Sequence, residues 1–574
     1  MPIERVNFTT YAPDVLSNNP AILDDGASVK VATDKTVSLG TYNAVPTLRG
    51  YKNLVSPTEQ FTNPDGGSLV VGAYIGIKPN GDSKLFAGTT TKLFAGDLAS
   101  KVWTPVTRNP PDGVYAAGNE KDRWHFAQFG DYTIAVKASN HPQVNDGDDE
   151  FEDLGGTPPT QAKYVAVANN FVILANLEGS ANGPTANKEA SVWISGFGKH
   201  NYWTPNDQNL SEFFSLIDTP GEIVGIKALG RDVYVYKTHA THFLNFTGTG
   251  WTNSLVSTQA GALSNDAVVD IGERHVSMGY DNFYAFQSGG GSATLENPLY
   301  EKIFGPNGDL DRSAVGLVQG RYDKELNVVF WHYPSTSRDT DTNYCDRWVA
   351  WAVDTERWAA GEAAVRSVVY PYYDTNAGET YTSFGNNERL RNNTDKPLWN
   401  TNFKTSVGAD DEEGTLTYAD PTLVGIAGYA SGFFDDYAKL QAYVHTVAQD
   451  TGYVPAMLQT GDFGDGVVYK FVRGIRPRFE GPVALVAPSP AAPVEGNTDL
   501  GGTSLASCTV FRRDDLNTEL TNVGVENSSA VLDGDSPRWF TFRSNGRYHR
   551  FVFFFAGGAE LSGFDIDYDD AGTR

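Results

Sequence analysis

A chain of 574 residues is too long for one ordinary core, and its 40% hydrophobic and 12% aromatic residues suit two or three packed domains, not a disordered polymer. The 44 basic and 70 acidic residues leave a formal net charge of −26, which argues against a protein whose main task is gripping nucleic acid by its phosphates. The same surplus fits a highly soluble surface, or a wall that DNA slides past without sticking. Only Cys345 and Cys508 are present, too few for a disulfide framework, so folding in a reducing cytoplasm is expected. The start, Met1 to Val6, lacks the apolar core of a signal peptide, and no apolar run approaches the ~20 residues that a membrane span requires.

In chain order, residues 1–65 carry few sustained strands and read as an arm plus first strands. Residues 66–440 form a repetitive β body of short apolar runs closed by Gly, Asp, Asn or Pro. Examples are Leu69 to Ile77, Lys84 to Gly88, Lys92 to Gly96, Tyr132 to Val136, Tyr164 to Val167, Phe171 to Leu174, Ile223 to Ile226 and Asp232 to Tyr236. Val276 to Phe286, Asn327 to Trp331 and Trp348 to Val353 continue the series. Turn signals every ~8–12 residues belong to sandwiches, barrels and propellers. Asp435 to Gln449, with Tyr437, Leu440, Val444 and Val447, fits a helix or a strand equally well. Residues 441–574 change pattern: a Pro-rich loop at 481–504 precedes the strand-like Trp539 to Arg543 and Arg550 to Phe555. The fold class expected is all-β, a β-propeller-like body with a C-terminal β-sandwich or platform.

A weak internal repeat runs through the body. A small turn leads to a tryptophan from Gly96-Asp97 to Trp103, Gly196 to Trp203, Gly248 to Trp251 and Asp354 to Trp358. An aromatic that closes a turn between strands can cover a neighbouring sheet's flat face, as propeller blades require; scattered Trp at the ends of sandwich strands is the plainer alternative.

No signature of chemistry is found: no phosphate-binding loop, no nucleophile elbow and no H-E-x-x-H, so a non-enzyme without cofactor or metal is expected. His239 and His242 have H-x-x-H spacing, but an odd offset between strand-like runs sends the side chains to opposite faces. The acidic run Asn145 to Asp153 lacks the offsets of a calcium loop and reads as a solvated loop. Asp565, Asp567, Asp569 and Asp570 alternate around Phe564, Ile566 and Tyr568, the pattern of an edge strand with one charged face. Basic residues gather near the C-terminus at Arg473, Arg476, Arg478, Arg538, Arg543, Arg547 and Arg550. Of these, Arg473, Arg476, Arg478, Arg547 and Arg550 form a candidate subunit interface, because the guanidinium fork suits carboxylates at protein contacts.

Several blocks resemble one phage structural family. These are Trp124 to Asp131, Tyr164 to Leu174, Val192 to Gly196 leading to Tyr202-Trp203-Thr204, and Gly221 to Ile226. Gly461 to Asp465 through Arg476 to Phe479, Arg543 to Arg550 and a terminal Gly-Thr-Arg continue in the same order, over about two-thirds of the chain. The family is that of the nozzle or tail hub (tail accessory, stabilisation) proteins of short-tailed bacteriophages, podoviruses. Thr336 to Asp341 and the Pro-rich loop depart from its pattern. The resemblance implies a virion tail subunit, made in the host bacterial cytoplasm, that forms a homo-oligomeric ring of six copies below the portal and adaptor. Such a ring continues the DNA-ejection channel, docks fibres or spikes, and lets viral double-stranded DNA pass without specific binding or stable membrane insertion. A carbohydrate-binding or glycoside-cleaving β-propeller is the alternative reading, since abundant Trp and Tyr could stack on sugars.

Overall fold

The computed structural model describes residues 3–7, 40–53 except 43, most of 64–336, and 345–385 except 375–378. With short gaps it also describes 456–480, 506–527 and 539–572. The ambiguous segment at 435–449 and the Pro-rich loop at 481–504 lie outside these residues.

The chain begins with β1 (Ile3–Asn7), β2 (Gly40–Tyr42), β3 (Ala44–Pro46) and β4 (Tyr51–Asn53). Antiparallel sheets then follow one another along the chain. Sheet one holds β5 (Val70–Ile77), β6 (Ser83–Thr89), β7 (Leu93–Asp97) and β8 (Val102–Pro105). Sheet two holds β9 (His125–Phe129), β10 (Tyr132–Val136), β11 (Gln143–Asn145) and β12 (Glu152–Asp153). Sheet three holds β13 (Gln161–Ala168), β14 (Phe171–Glu178), β15 (Ser191–Ile194) and β16 (Glu212–Ser215). Sheet four holds β17 (Ile223–Leu229), β18 (Asp232–Lys237), β19 (Thr241–Phe246) and β20 (Trp251–Ser257). Sheet five holds β21 (Val268–Asp270), β22 (Arg274–Met278), β23 (Phe283–Gln287) and β24 (Gly291–Thr294). Sheet six has five strands, β25 (Gln319–Asp323), β26 (Val328–Tyr333), β27 (Cys345–Ala352), β28 (Trp358–Asp374) and β29 (Glu379–Gly385).

The uninterrupted apolar runs have a simple cause. In sheet three, Val172 and Leu174 enter a core shared with Ile134 and Val136 of sheet two. The alternate residues Phe171, Ile173 and Ala175 enter a core shared with Val233 and Val235 of sheet four. Sheet four repeats the device, with Tyr234 and Tyr236 turned toward Phe286 of sheet five. Both faces of these strands are buried, so period-two alternation disappears from the sequence. Val329, Trp331 and Tyr333 of sheet six face Val276 and Phe283 of sheet five. The first strands of successive sheets lie side by side from β5 to β25, and β28 lies against β5, so sheet six returns to sheet one.

The tryptophan repeat has a common topological position. Trp103, Trp251 and Trp358 lie on the fourth strands of sheets one, four and six, and Trp203 lies between the third and fourth strands of sheet three. Trp203, Trp251 and Trp358 are each buried in a core between two sheets. Indole groups also bond across sheets: Nε1 of Trp124 donates to Thr89 O at 2.8 Å, and that of Trp331 to Ala267 O at 2.9 Å.

The remaining strands are β30 (Ala456–Gln459), β31 (Lys470–Glu480), β32 (Ala506–Arg513), β33 (Thr521–Asn527), β34 (Phe540–Gly546), β35 (Tyr548–Phe555) and β36 (Glu560–Asp570). One sheet runs β3-β4-β36-β31-β34, with β1 also paired to β36; the other runs β2-β30-β35-β32-β33. Their inner faces share one core through Val472, Ile475, Phe540, Phe564, Phe551 and Phe553. Phe330, Trp348 and Ala350 of sheet six join that core. Within residues 1–65, β1, β2 and β4 pair with strands from the far end of the chain, and β3 pairs with β4.

Between sheets, buried lysines tie down loop carbonyls. Lys137, which follows β10 and is 0% exposed, donates to Thr90 O at 2.6 Å and Ala117 O at 2.7 Å. Lys237, at the equivalent end of β18, donates to Leu216 O and Thr219 O, each at 2.7 Å. Burial lowers the Lys137 pKa to about 8, so the ammonium persists at neutral pH. Replacing Lys137 with Met keeps the apolar stem but leaves the Thr90 and Ala117 carbonyls without this donor. We expect Lys137→Met to lose about 2–3 kcal/mol in chemical denaturation, and an unchanged midpoint would refute the role given to the ammonium.

Candidate functional site

Two polar constellations stand out, one where the first strands converge and one on the outer face of a two-sheet unit. In the first, Arg123 and His125 at the start of sheet two meet Asn265 and Asp266, which precede sheet five. Arg123 Nε lies 3.3 Å from Asp266 Oδ2, and its Nη2 donates to Gln319 Oε1 of sheet six at 2.9 Å. His125 Nδ1 lies 3.1 Å from Asn265 Nδ2 and 3.5 Å from Asp266 Oδ1, while its ring packs on Tyr164 of sheet three at 5.0 Å. Asn265 Oδ1 accepts from the backbone of Ile226 in sheet four at 3.0 Å. A Cβ on Gly225 would stand 2.8 Å from Asn265 Cα, so glycine is what lets β17 approach this closely.

Burial works against an ionised Asp266, but His125, then Arg123 and Lys227, outweigh it and hold the carboxyl well below the usual carboxylate range. Burial raises the Tyr164 phenol, and the charges of Glu222 and Asp266 add to that. The cluster therefore places charge where the first strands converge and links sheets two to six.

The second constellation unites two features that the sequence presents separately. The Asp565 to Asp570 segment is not an edge strand: β36 has β1 and β4 on one side and β31 on the other. Its outward aspartates pair with the arginines of β31. Arg473 reaches Asp567 at 2.6 Å and Asp569 at 2.5 Å, and Arg476 reaches Asp565 at 2.5 Å. Arg478 and Arg5 stand 3.7 and 3.5 Å from the same Asp565, whose side chain is 1% exposed. Hydrogen bonding to Asp567 raises the Arg473 pKa further.

Spacings of three and two along Arg473, Arg476 and Arg478 would put Arg473 on the opposite face of a regular strand. A bulge between Val472 and Gly474 restores it to the outer face while Val472 and Ile475 both stay in the core. A Cβ on Gly474 would press on Phe540 O and the Trp539 ring at 3.1 and 3.2 Å.

The other two candidate interface arginines lie elsewhere. Arg550 is 2% exposed on β35, and Arg547 packs over the Tyr469 ring at 5.1 Å. The strand pattern conceals this, because the turn between β34 and β35 sends the two strands into different sheets. Arg543, by contrast, is exposed on β34 beside β31.

His239 and His242 do not come together: His239 packs on Tyr280 at 4.7 Å, and buried His242 bonds Thr219 Oγ1 at 2.8 Å. In the acidic run, Phe151 is buried and Asp153 binds Arg108 and Gln143, each at 2.6 Å. Among the described residues no cluster of His, Cys, Asp or Glu could hold a metal ion, and no helix is long and apolar enough to cross a membrane.

No protein-family model and no curated protein matches the chain. Among solved structures, the extracellular domain of a one-component system from B. thetaiotaomicron is similar at 11% identity and a TM-score of 0.35, over 58% of this chain and 39% of that one. The chain thus spans well under half of that protein. YCF48 bound to D1 peptide gives 9% identity and a TM-score of 0.32 over 54% and 86% of the two chains. A chain of the mitotic checkpoint complex gives 6% and 0.34 over 60% and 98%. Likeness this slight carries no functional argument.

Several imidazoles are buried in their neutral form. Burial lowers the pKa of His275 to about 4 and of His332 to about 3; His275 sits between Tyr236 Oη at 2.8 Å and Ala228 O at 3.0 Å. Unfolding frees these rings to take up protons near their ordinary 6.5, so the unfolded chain binds more protons and stability falls as pH drops from about 6.5 toward 4. The depressed Asp266 carboxyl extends the loss to lower pH. Acidification also brings the net charge toward zero, which relieves self-repulsion and acts oppositely. We expect the imidazoles to win: Tm measured by scanning calorimetry should fall by several degrees between pH 7 and about 4.5, and a constant or rising Tm would refute that balance.

Proposed function

We propose that the chain is a structural, non-catalytic subunit of a phage tail, forming a homohexameric nozzle ring below the portal and adaptor. In this reading the six successive sheets are the blades of a β-propeller-like body, and the two-sheet unit is a platform β-sandwich. The observation that carries the reading is where the segments resembling nozzle proteins fall. Trp124 to Asp131 forms β9, and Gly221 to Ile226 leads into β17, both first strands near the convergence of the sheets. Tyr164 to Leu174 covers the β13–β14 hairpin that contributes to two inter-sheet cores. Arg476 to Phe479 belongs to β31, and Arg543 to Arg550 spans β34, the turn and the start of β35 in the two-sheet unit. These segments of the resemblance fall on framework strands.

The geometry also bears on the passage. Where the first strands converge, Arg123 bonds groups 143 and 196 residues away in sequence, so opposite sides of the series touch. A duplex cannot thread that axis. The channel of this reading lies between copies, where walls of an acidic chain repel phosphates and let DNA move without being held. Fibres or spikes would dock on the outside of the same ring.

Electron microscopy of the purified chain, alone and mixed with a portal–adaptor complex, tests the proposal. Rings of six copies coaxial with the portal are expected; compact monomers that never join a ring in the presence of the portal–adaptor complex would refute it.

A further inference from the structure

The outer face of the β1-β36-β31-β34 sheet is a basic island in an acidic protein. Arg5, Arg473, Arg476 and Arg478 stand around Asp565, Asp567 and Asp569, and Arg543 lies on β34 beside β31, so five arginines share this face with three aspartates in a chain whose formal net charge is −26. The aspartates form the middle row, with arginines on both sides. Asp565 is buried beneath three guanidinium groups, which holds the central forks in place. Arg5, 66% exposed, and the exposed Arg543 stand at the margins.

We propose that this face is the electropositive half of the contact between neighbouring copies of the chain, receiving carboxylates from the next copy's surface. The inference rests on the ring reading and specifies which surface closes the ring. Three observations lead there. A closed ring of identical subunits needs two different complementary patches on each copy. The formal charge outside this face is more negative than that of the whole chain, so a second copy offers carboxylates for this face to receive. Arginine forks fixed by internal aspartates lose little further side-chain freedom on docking, which favours a specific contact over a diffuse cloud of charge. The candidate interface thereby changes membership: Arg473, Arg476 and Arg478 remain as the fixed centre, Arg547 and Arg550 drop out, and Arg5 and Arg543 enter.

The test is the double variant Arg5→Glu/Arg543→Glu, imaged and sedimented beside the wild-type chain with the portal–adaptor complex. Both positions are exposed, so Tm should stay within about 2 °C of wild type, which separates assembly from folding. The expected result is at least a tenfold loss of rings, with wild-type rings themselves weakening as NaCl rises from about 50 to about 500 mM. A folded variant that forms rings as wild type does overturns the inference while leaving the ring reading intact. Wild-type protein that forms no ring refutes both. A variant that keeps its rings but loses salt-dependent binding of duplex DNA, present in wild type, assigns the face to DNA and also overturns the proposal. Should the double variant melt early, Arg543→Glu alone answers the same question, since that side chain lies on an exposed strand position.

Discussion

Two apolar faces on each intermediate sheet are the condition on which the rest of this molecule depends. Phe171, Ile173 and Ala175 point one way from β14, and Val172 and Leu174 point the other, all fully buried. Each of the larger side chains is worth about 1.5–3 kcal/mol out of water, so a sheet of this kind cannot end against solvent on either side. A neighbour is obligatory, and it needs a neighbour in turn. The series stops only where it meets itself, as β28 does against β5, or where something else covers the last face. For sheet six that cover is the two-sheet unit, which takes Phe330 and Trp348 into its own core.

A core built between flat faces creates a second requirement. Loops linking one sheet to the next run past buried surface, and their carbonyls must find donors there. Lys137, Lys237 and the indoles of Trp124 and Trp331 meet that need by crossing from one sheet to the loop or strand of another. Long side chains suit the task because they carry a donor across the gap while the stem or ring fills it. The neutral imidazole of His275, held between a tyrosine hydroxyl and a carbonyl, is another form of the same solution. Stability is thereby linked to pH through groups that perform no chemistry.

The all-β character was legible because turn spacing and apolar runs are local. Even the irregular Trp repeat marked a real place, the passage from third to fourth strand, although unequal loop lengths hid its regularity. What stayed hidden was pairing at long range. Nothing in Ile3–Asn7 announces a partner at Gly563–Asp567, because a five-residue strand carries too little pattern to specify a mate over 550 residues distant. For the same reason the aspartate row looked like an exposed edge: alternation reveals that one face is polar, but not whether strands flank it. The bulge at Arg473 was equally invisible, since one extra residue breaks the period that a strand pattern relies on.

That long-range pairing has a consequence for the charged face. Its residues come from position 5, from 473 to 478, from 543 and from 565 to 569, so it exists only when the first and last strands have found each other. Contacts of such sequence separation are costly to close and form late in folding. Before then the arginines and aspartates are scattered along a net acidic chain that repels its copies. After closure the aspartates are drawn into the sheet, Asp565 most deeply, with Arg5 and Arg543 exposed at the margins. A surface assembled from both ends of the chain is thus withheld from partially folded molecules, and in the proposed ring the contact between copies would form only after each chain has closed.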